Sequence, residues 1–186
     1  MIGELPVSLE IGGRLYAVRS DFRVVLNIFQ AFNDPELTER EKAKVCLVCL
    51  YPDHRSIPAK DMQEAVNKAF WFCDGGDMPK SEPAKVKTLD WQHDEGIIFP
   101  AVNKSAGFEV RSCPYMHWWT FLGIFGGIDE GLFSTVMSIR NKRAEGKNLE
   151  KWEKEFYRKN KDLIDLRTAQ EQAEIGETEE FLKTIT

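Results

Sequence analysis

Near the N-terminus the apolar residues recur with a period of two. Val7, Leu9 and Ile11 alternate with Ser8 and Glu10, Gly12-Gly13 follows, and Leu15, Tyr16 and Ala17 continue the run. Successive side chains of a strand point to opposite faces, and a Gly-Gly pair reaches positive φ without steric cost. The pattern therefore predicts a β-hairpin. Two strands alone are marginal in water, so this hairpin must lean on helices or find another strand.

After residue 20 the period becomes helical. Phe22, Val25, Leu26, Phe29 and Phe32 fall at i, i+3, i+4 and i+7 spacing behind a cap at Ser20 or Asp21, and Asn33-Asp34-Pro35 ends that helix. Thr38 with Glu41 forms a capping box for a second helix through Leu50, stopped by Tyr51-Pro52. Pro58 stands where a third helix should begin; it carries Met62, Val66, Ala69, Phe70 and Cys73 and closes at Asp74-Gly75-Gly76. Residues 75–89 gather Pro79, Lys80, Ser81, Pro83, Lys85 and Lys87 with little apolar content, which predicts an exposed, mobile loop. Asp90 can cap a fourth helix through Trp91, Ile97, Ile98 and Ala101, with a kink expected at Pro100. Phe108 to Val110 fits neither period. Pro114 opens a dense apolar run, Tyr115 to Leu122, that Gly126-Gly127 ends. A further helix, capped by Asp129, carries Leu132, Phe133, Val136, Met137 and Ile139-Arg140.

The last third changes character. Leu149, Trp152, Phe156, Leu163 and Leu166 fill heptad a and d positions, with Lys159 breaking the seam. Glu150–Lys154 and Glu155–Lys159 are favourable i, i+4 pairs on such a helix. This stripe either packs back on the core or remains available to a partner helix. Trp152, Phe156 and Leu163 are thus the candidate partner-binding residues. Beyond Arg167 the chain is acidic and polar. The expected fold class is mainly α: a helical core domain over 1–145 with a small N-terminal hairpin, then a C-terminal amphipathic helix with an acidic tail over 146–186.

Composition narrows the function. A chain of 186 residues can bury roughly 70% of its unfolded surface, so it needs neither disulfide nor metal to hold a core. Its net charge of −5 disfavours nucleic acid as a partner, because phosphate contacts supply most of such affinity. The first residues have no basic start and no apolar core, so a signal peptide is not expected. The longest apolar-rich run, Tyr115 to Ile128, falls short of the roughly 18 residues a membrane span needs. These features point to a cytosolic protein.

Candidate chemistry is sparse. Cys46-x-x-Cys49 lies among Val45, Leu47, Val48 and Leu50, which suits the buried face of a helix better than a redox pair at a helix N-terminus. A zinc site would need Cys73 and Cys113, each isolated in the sequence. His93-Asp94-Glu95 are consecutive and would diverge on a helix, and His54 sits in a loop beside Tyr51-Pro52-Asp53. Gly123-x-x-Gly126-Gly127 lacks the strand and the Gly-Lys-Ser/Thr of a phosphate loop and reads as a turn. No nucleophile pairs visibly with a histidine. His117-Trp118-Trp119-x-Phe121 fits a core helix whose imidazole and indole groups need buried acceptors, rather than an exposed aromatic platform. The expectation is a protein without catalysis, metal or cofactor.

Asp90 through Ile97, Ile98 and Phe99, then His117-Trp118-Trp119-x-Phe121-Leu122, then Ile139-Arg140, resembles a family of phage tail assembly chaperones. These are small proteins of long-tailed phages of Gram-positive hosts, encoded just before the tape measure protein. The resemblance covers residues 1 to 165 and is sharpest between Asp90 and Arg143; the acidic end after Arg167 is not part of it. It implies a helical protein that binds the tape measure protein in the host cytoplasm and keeps it soluble. Tail tube subunits then assemble around that client, and the chaperone is absent from the finished virion. The tail tube protein and a second copy of the chain are further partners the resemblance raises; nucleic acid and membrane are not. A head–tail connector or minor tail protein of the particle is the alternative.

Overall fold

Gly12 and Gly13 adopt φ of 56° and 77° and turn the chain between β1 (Ser8–Ile11) and β2 (Arg14–Ala17). The strands pair antiparallel, with Leu9 opposite Tyr16 and Ile11 opposite Arg14. Residues directly opposite share a face. Leu9, Ile11 and Tyr16 are buried, while Leu15 is exposed. The return strand thus turns Tyr16 inward and Leu15 outward, because register rather than apolar character selects the face. A computed structural model describes residues 3–76 and 86–166. Most of the expected 75–89 loop, at 77–85, and the acidic end from 167 onward lie outside the described residues.

Eight α-helices and three short 3-10 turns make up the other regular structure among the described residues, so the fold is mainly helical with an N-terminal hairpin. Asp21 caps α1 (Phe22–Asn33): its Oδ1 accepts from the Arg23 N–H, and its Oδ2 accepts from the Met116 N–H at 3.1 Å. One carboxylate therefore starts a helix and fixes the approach of a distant segment. The Thr38–Glu41 capping box opens α2 (Glu39–Leu50) as expected. Arg19 closes its far end, donating from Nη1 to the Val48 and Cys49 carbonyls, both at 2.9 Å. Pro58 precedes a 3-10 turn, Ala59–Asp61, rather than opening α3 (Met62–Cys73) itself. The buried stripe of α3 is Ala65, Ala69, Phe72 and Cys73. Phe70, expected inside, is 39% exposed and meets Phe32 edge-on at 5.7 Å.

Asp90 caps a turn and not the fourth helix: its Oδ1 accepts from the Gln92 and His93 N–H groups, and α4 (Glu95–Ala106) follows with Pro100 inside it. Helix α5 (Trp118–Gly126) begins four residues after Pro114, capped by His117. Asp129 does not cap α6 (Leu132–Ala144). The Gly131 N–H donates to Ser134 Oγ at 2.8 Å, which sets the start after Gly131. Two short helices end the described chain, α7 (Lys151–Lys159) and α8 (Lys161–Ile164).

Contacts divide the protein into two compact units, Met1–Pro83 with Phe99–Asp129, and Ala84–Ile98 with Glu130–Thr186. The first has an aromatic core. Phe22 stacks on Phe121 with ring centroids 4.6 Å apart, and Phe29 meets Trp118 edge-on at 5.6 Å. The second buries Val136, Ile139 and Ile164 together with four charged side chains, Asp90, Asp94, Arg140 and Glu153.

Candidate partner-binding surface

The stripe from Leu149 to Leu166 is not one helix. At Asn160 the backbone N–H donates to the Phe156 and Tyr157 carbonyls, and the side-chain amide adds a second bond to Phe156 O at 2.9 Å. These bonds close α7, and α8 restarts at Lys161. Trp152 and Phe156 therefore sit on α7 and Leu163 on α8. Trp152 is 53% exposed, while Phe156 and Leu163 are half-buried.

The fully buried residue of α7 is Glu153. Its Oε1 accepts from Lys142 Nζ of α6 at 2.6 Å, and its Oε2 accepts from the Glu150 N–H at 2.8 Å. The Lys142 hydrogen bond holds this carboxyl below the usual glutamate range. Helix α7 is thus attached through a charge-assisted bond, which is stronger than a neutral one. That mode of attachment leaves the indole outside. Trp152 Nε1 donates to Glu150 Oε2 at 2.8 Å, so the ring is held against the start of its own helix.

Arg140 fastens the C-terminal end. Its guanidinium has five N–H donors, and all five are used. Nε donates to Ile164 O at 2.8 Å. Nη1 donates to Thr88 O at 3.0 Å and Asp94 Oδ2 at 2.6 Å. Nη2 donates to Asp94 Oδ1 and Leu163 O, both at 2.8 Å. Asp94 Oδ2 also accepts from the Asp90 N–H at 3.0 Å. Asp94 is fully buried and Arg140 nearly so, and a buried ion pair persists only when its remaining hydrogen-bonding groups are satisfied. Beside it, Arg143 pairs with Asp165 and lies over the Tyr157 ring, while the Tyr157 hydroxyl donates to Asp165 Oδ2 at 2.9 Å. The segment after Asn160 is therefore docked within its unit. Sequence reasoning passed over Arg140 except as a helix end, yet a signal was available: Phe133, Val136 and Arg140 fall at i, i+3 and i+7, so this arginine occupies a core position.

The other sequence candidates are placed as follows. His117 is buried; its Nδ1 accepts from the Trp119 N–H at 3.0 Å, which leaves the proton on Nε2 to be donated to Pro6 O at 3.0 Å. Trp118 and Trp119 donate their indole N–H groups to Cys73 O and Phe72 O at 2.8 and 2.9 Å. These are the buried acceptors the sequence required, and they satisfy carbonyls at the end of α3 that have no intrahelical partner. Of His93-Asp94-Glu95, Asp94 is committed to Arg140 and Glu95 is exposed. Cys73, isolated in the sequence, comes beside Cys46, and both are buried. The hydrogen bond between their thiols and the burial of Cys73 raise the Cys73 pKa far above the usual thiol range, which makes it a poor nucleophile. Among the described residues no group of three or more His, Cys, Asp or Glu side chains is placed to hold a metal ion, and no helix is long and apolar enough to cross a membrane.

No curated protein and no solved structure matches the chain. A family model does. The model described as Bacteriophage Gp15 protein matches residues 1–166, a span that takes in the hairpin, the His-Trp-Trp helix and the Arg140–Asp94 pair and stops at the acidic end, and the chain belongs to that bacteriophage family.

Proposed function

We propose that the chain is a non-enzymatic tail assembly chaperone. It binds the tape measure protein in the host cytoplasm, keeps that client soluble and supports assembly of tail tube subunits around it, and it leaves before the virion is complete. The observation that carries the reading is the outward Trp152 on a docked helix. An indole held against its helix start, with half-buried Phe156 one turn on, offers a preformed aromatic anchor of the kind that dominates protein interfaces. Burying the exposed part of that ring would contribute on the order of 1–2 kcal/mol. Membership in a bacteriophage family supports a phage role. The uncatalytic part is supported by the spent hydrogen-bonding groups of His117 and Asp94.

The test is co-expression of the tagged chain with the tape measure protein of the same phage, with an unrelated helical protein as control. Recovery of soluble tape measure protein with the tagged chain, and not of the control, is the expected result. If the tape measure protein stays insoluble while the chain itself is folded, the chaperone reading falls. Recovery of the chain from purified virions would then identify a connector or minor tail protein.

A further inference from the structure

Helix α7 carries an exposed charged stripe separate from its aromatic one. Lys151, Lys154 and Arg158 are exposed, and their i, i+3, i+7 spacing stacks them along one side of the helix. Neighbouring cations already hold anions: Lys159 pairs with Glu155 at 2.9 Å, Lys147 with Glu145 at 2.5 Å, and Lys142 with Glu153. Glu150, one turn before Lys154, accepts from the Trp152 indole. Residues 141–161 carry eight basic and four acidic side chains, a local charge of +4 in a chain whose net charge is −5. Docking of α7 and α8 uses Lys142, Arg143 and Arg140, so it does not require Lys151, Lys154 or Arg158.

We propose that this side of α7 is the docking site for an acidic helical segment of a partner protein. Carboxylates one helical turn apart would face Lys151, Lys154 and Arg158, while Trp152 and Phe156 lie round the helix from this stripe and outside the contact. The proposal rests on the chaperone reading and adds the chemistry of the client segment. Charge complementarity selects the occupant, since like charges across an interface cost several kcal/mol and the face excludes basic helices. A helix fits better than nucleic acid: the chain's net charge of −5 works against a phosphate backbone, whose binding draws most of its affinity from cationic contacts.

The test uses the full chain and a synthetic helical peptide with glutamates on one face and leucines on the other. Peptides with lysine in place of glutamate and a short duplex DNA serve as competitors, and binding is read by fluorescence anisotropy. The acidic peptide should bind, and its affinity should fall at least about tenfold in K151E/K154E/R158E and on raising the salt to about 0.5 M, where exposed charges are screened. If the reversed variant folds poorly, the neutral K151Q/K154Q/R158Q replaces it, with a fall of about threefold to tenfold expected. Equal binding of acidic and lysine peptides, unchanged affinity in the folded variants, or tighter binding of duplex DNA overturns the proposal. So does a gain of about tenfold when Glu171, Glu174, Glu177, Glu179 and Glu180 are changed to glutamine, which would make the chain's own acidic end the occupant. The two readings separate cleanly. Tape measure protein that still co-purifies with a charge-reversed variant sinks the docking site and spares the chaperone role. Acidic peptide bound with no tape measure protein recovered does the reverse.

Discussion

Replacing Arg140 by alanine removes five donors at once. It leaves the Asp94 carboxylate buried without its cation, and it strands the carbonyls of Thr88, Leu163 and Ile164, which the guanidinium now satisfies. Breaking one partner of a buried ion pair costs about 3–5 kcal/mol. With a urea slope of roughly 2 kcal/mol/M for a chain of this size, the midpoint of unfolding should fall by about 1.5–2.5 M. The loss should be concentrated in the unit that contains Arg140, so hydrogen exchange of the α8 amides should accelerate more than that of α1. Arg140→Lys keeps the charge but loses the fork that spans both Asp94 oxygens, and it should recover less than half of the loss. The double change Asp94→Leu with Arg140→Met removes both charges and should be clearly more stable than Arg140→Ala alone. A midpoint for Arg140→Ala within about 0.5 M of the parent, equivalent to about 1 kcal/mol on the same slope, would refute the reasoning. It would mean that water replaces the guanidinium at little cost and that the pair organises nothing.

Four further outcomes follow from the geometry. Trp152→Ala should leave the urea midpoint within about 0.5 kcal/mol equivalent while weakening recovery of the tape measure protein in the co-expression assay; unfolding of this variant would place the ring in the core. Phe156→Ala, half-buried, should weaken recovery as well, with a small drop in melting temperature. The Glu153 carboxyl titrates below its ordinary value near 4.5 because Lys142 favours the charged form. Its contribution is therefore complete above that pH and lost as pH falls through the lower folded value, so fluorescence of α7 should show an acid step that Glu153→Gln abolishes. Gly76 adopts φ of +92°, and a Cβ there would lie 2.7 Å from the Trp119 ring; Gly76→Ala should lower stability by about 1–3 kcal/mol in a thermal melt.

Much of the fold was legible because local chemistry decides it. The Gly12-Gly13 turn, the Asp21 cap and the Thr38–Glu41 box are short-range devices, and the structure contains each. Helix phase was harder. Val66 and Phe70 outrank Ala65 in hydrophobicity, yet the inward side of α3 is the alanine side, where small residues sit and Tyr51 Oη reaches Ala65 O at 3.0 Å. Asp90 and Asp129 looked like helix caps in sequence, but Asp90 spends itself on a turn, and α6 starts later because Ser134 accepts from Gly131. The candidate surface was half legible. Aromatic spacing put Trp152 and Phe156 on one helix, as the structure has them, but it carried that helix through Asn160, whose side chain and backbone both turn back on α7. Long-range pairings such as Arg140 with Asp94 leave almost no local trace. The one clue was a charge at a core position.

Arg140 grips α8 by main-chain oxygens. Every residue type carries the same carbonyl, so the guanidinium is blind to which side chains stand at positions 163 and 164. Arg140's share of the attachment is thereby independent of those side chains, while buried Ile164 and the Asp165 carboxylate add holds that do depend on identity. A change at Leu163 leaves the Arg140 bond to its carbonyl in place, while position 140 admits no comparable freedom. The side chain at 163 is thus open to substitution on a mounting that stays put.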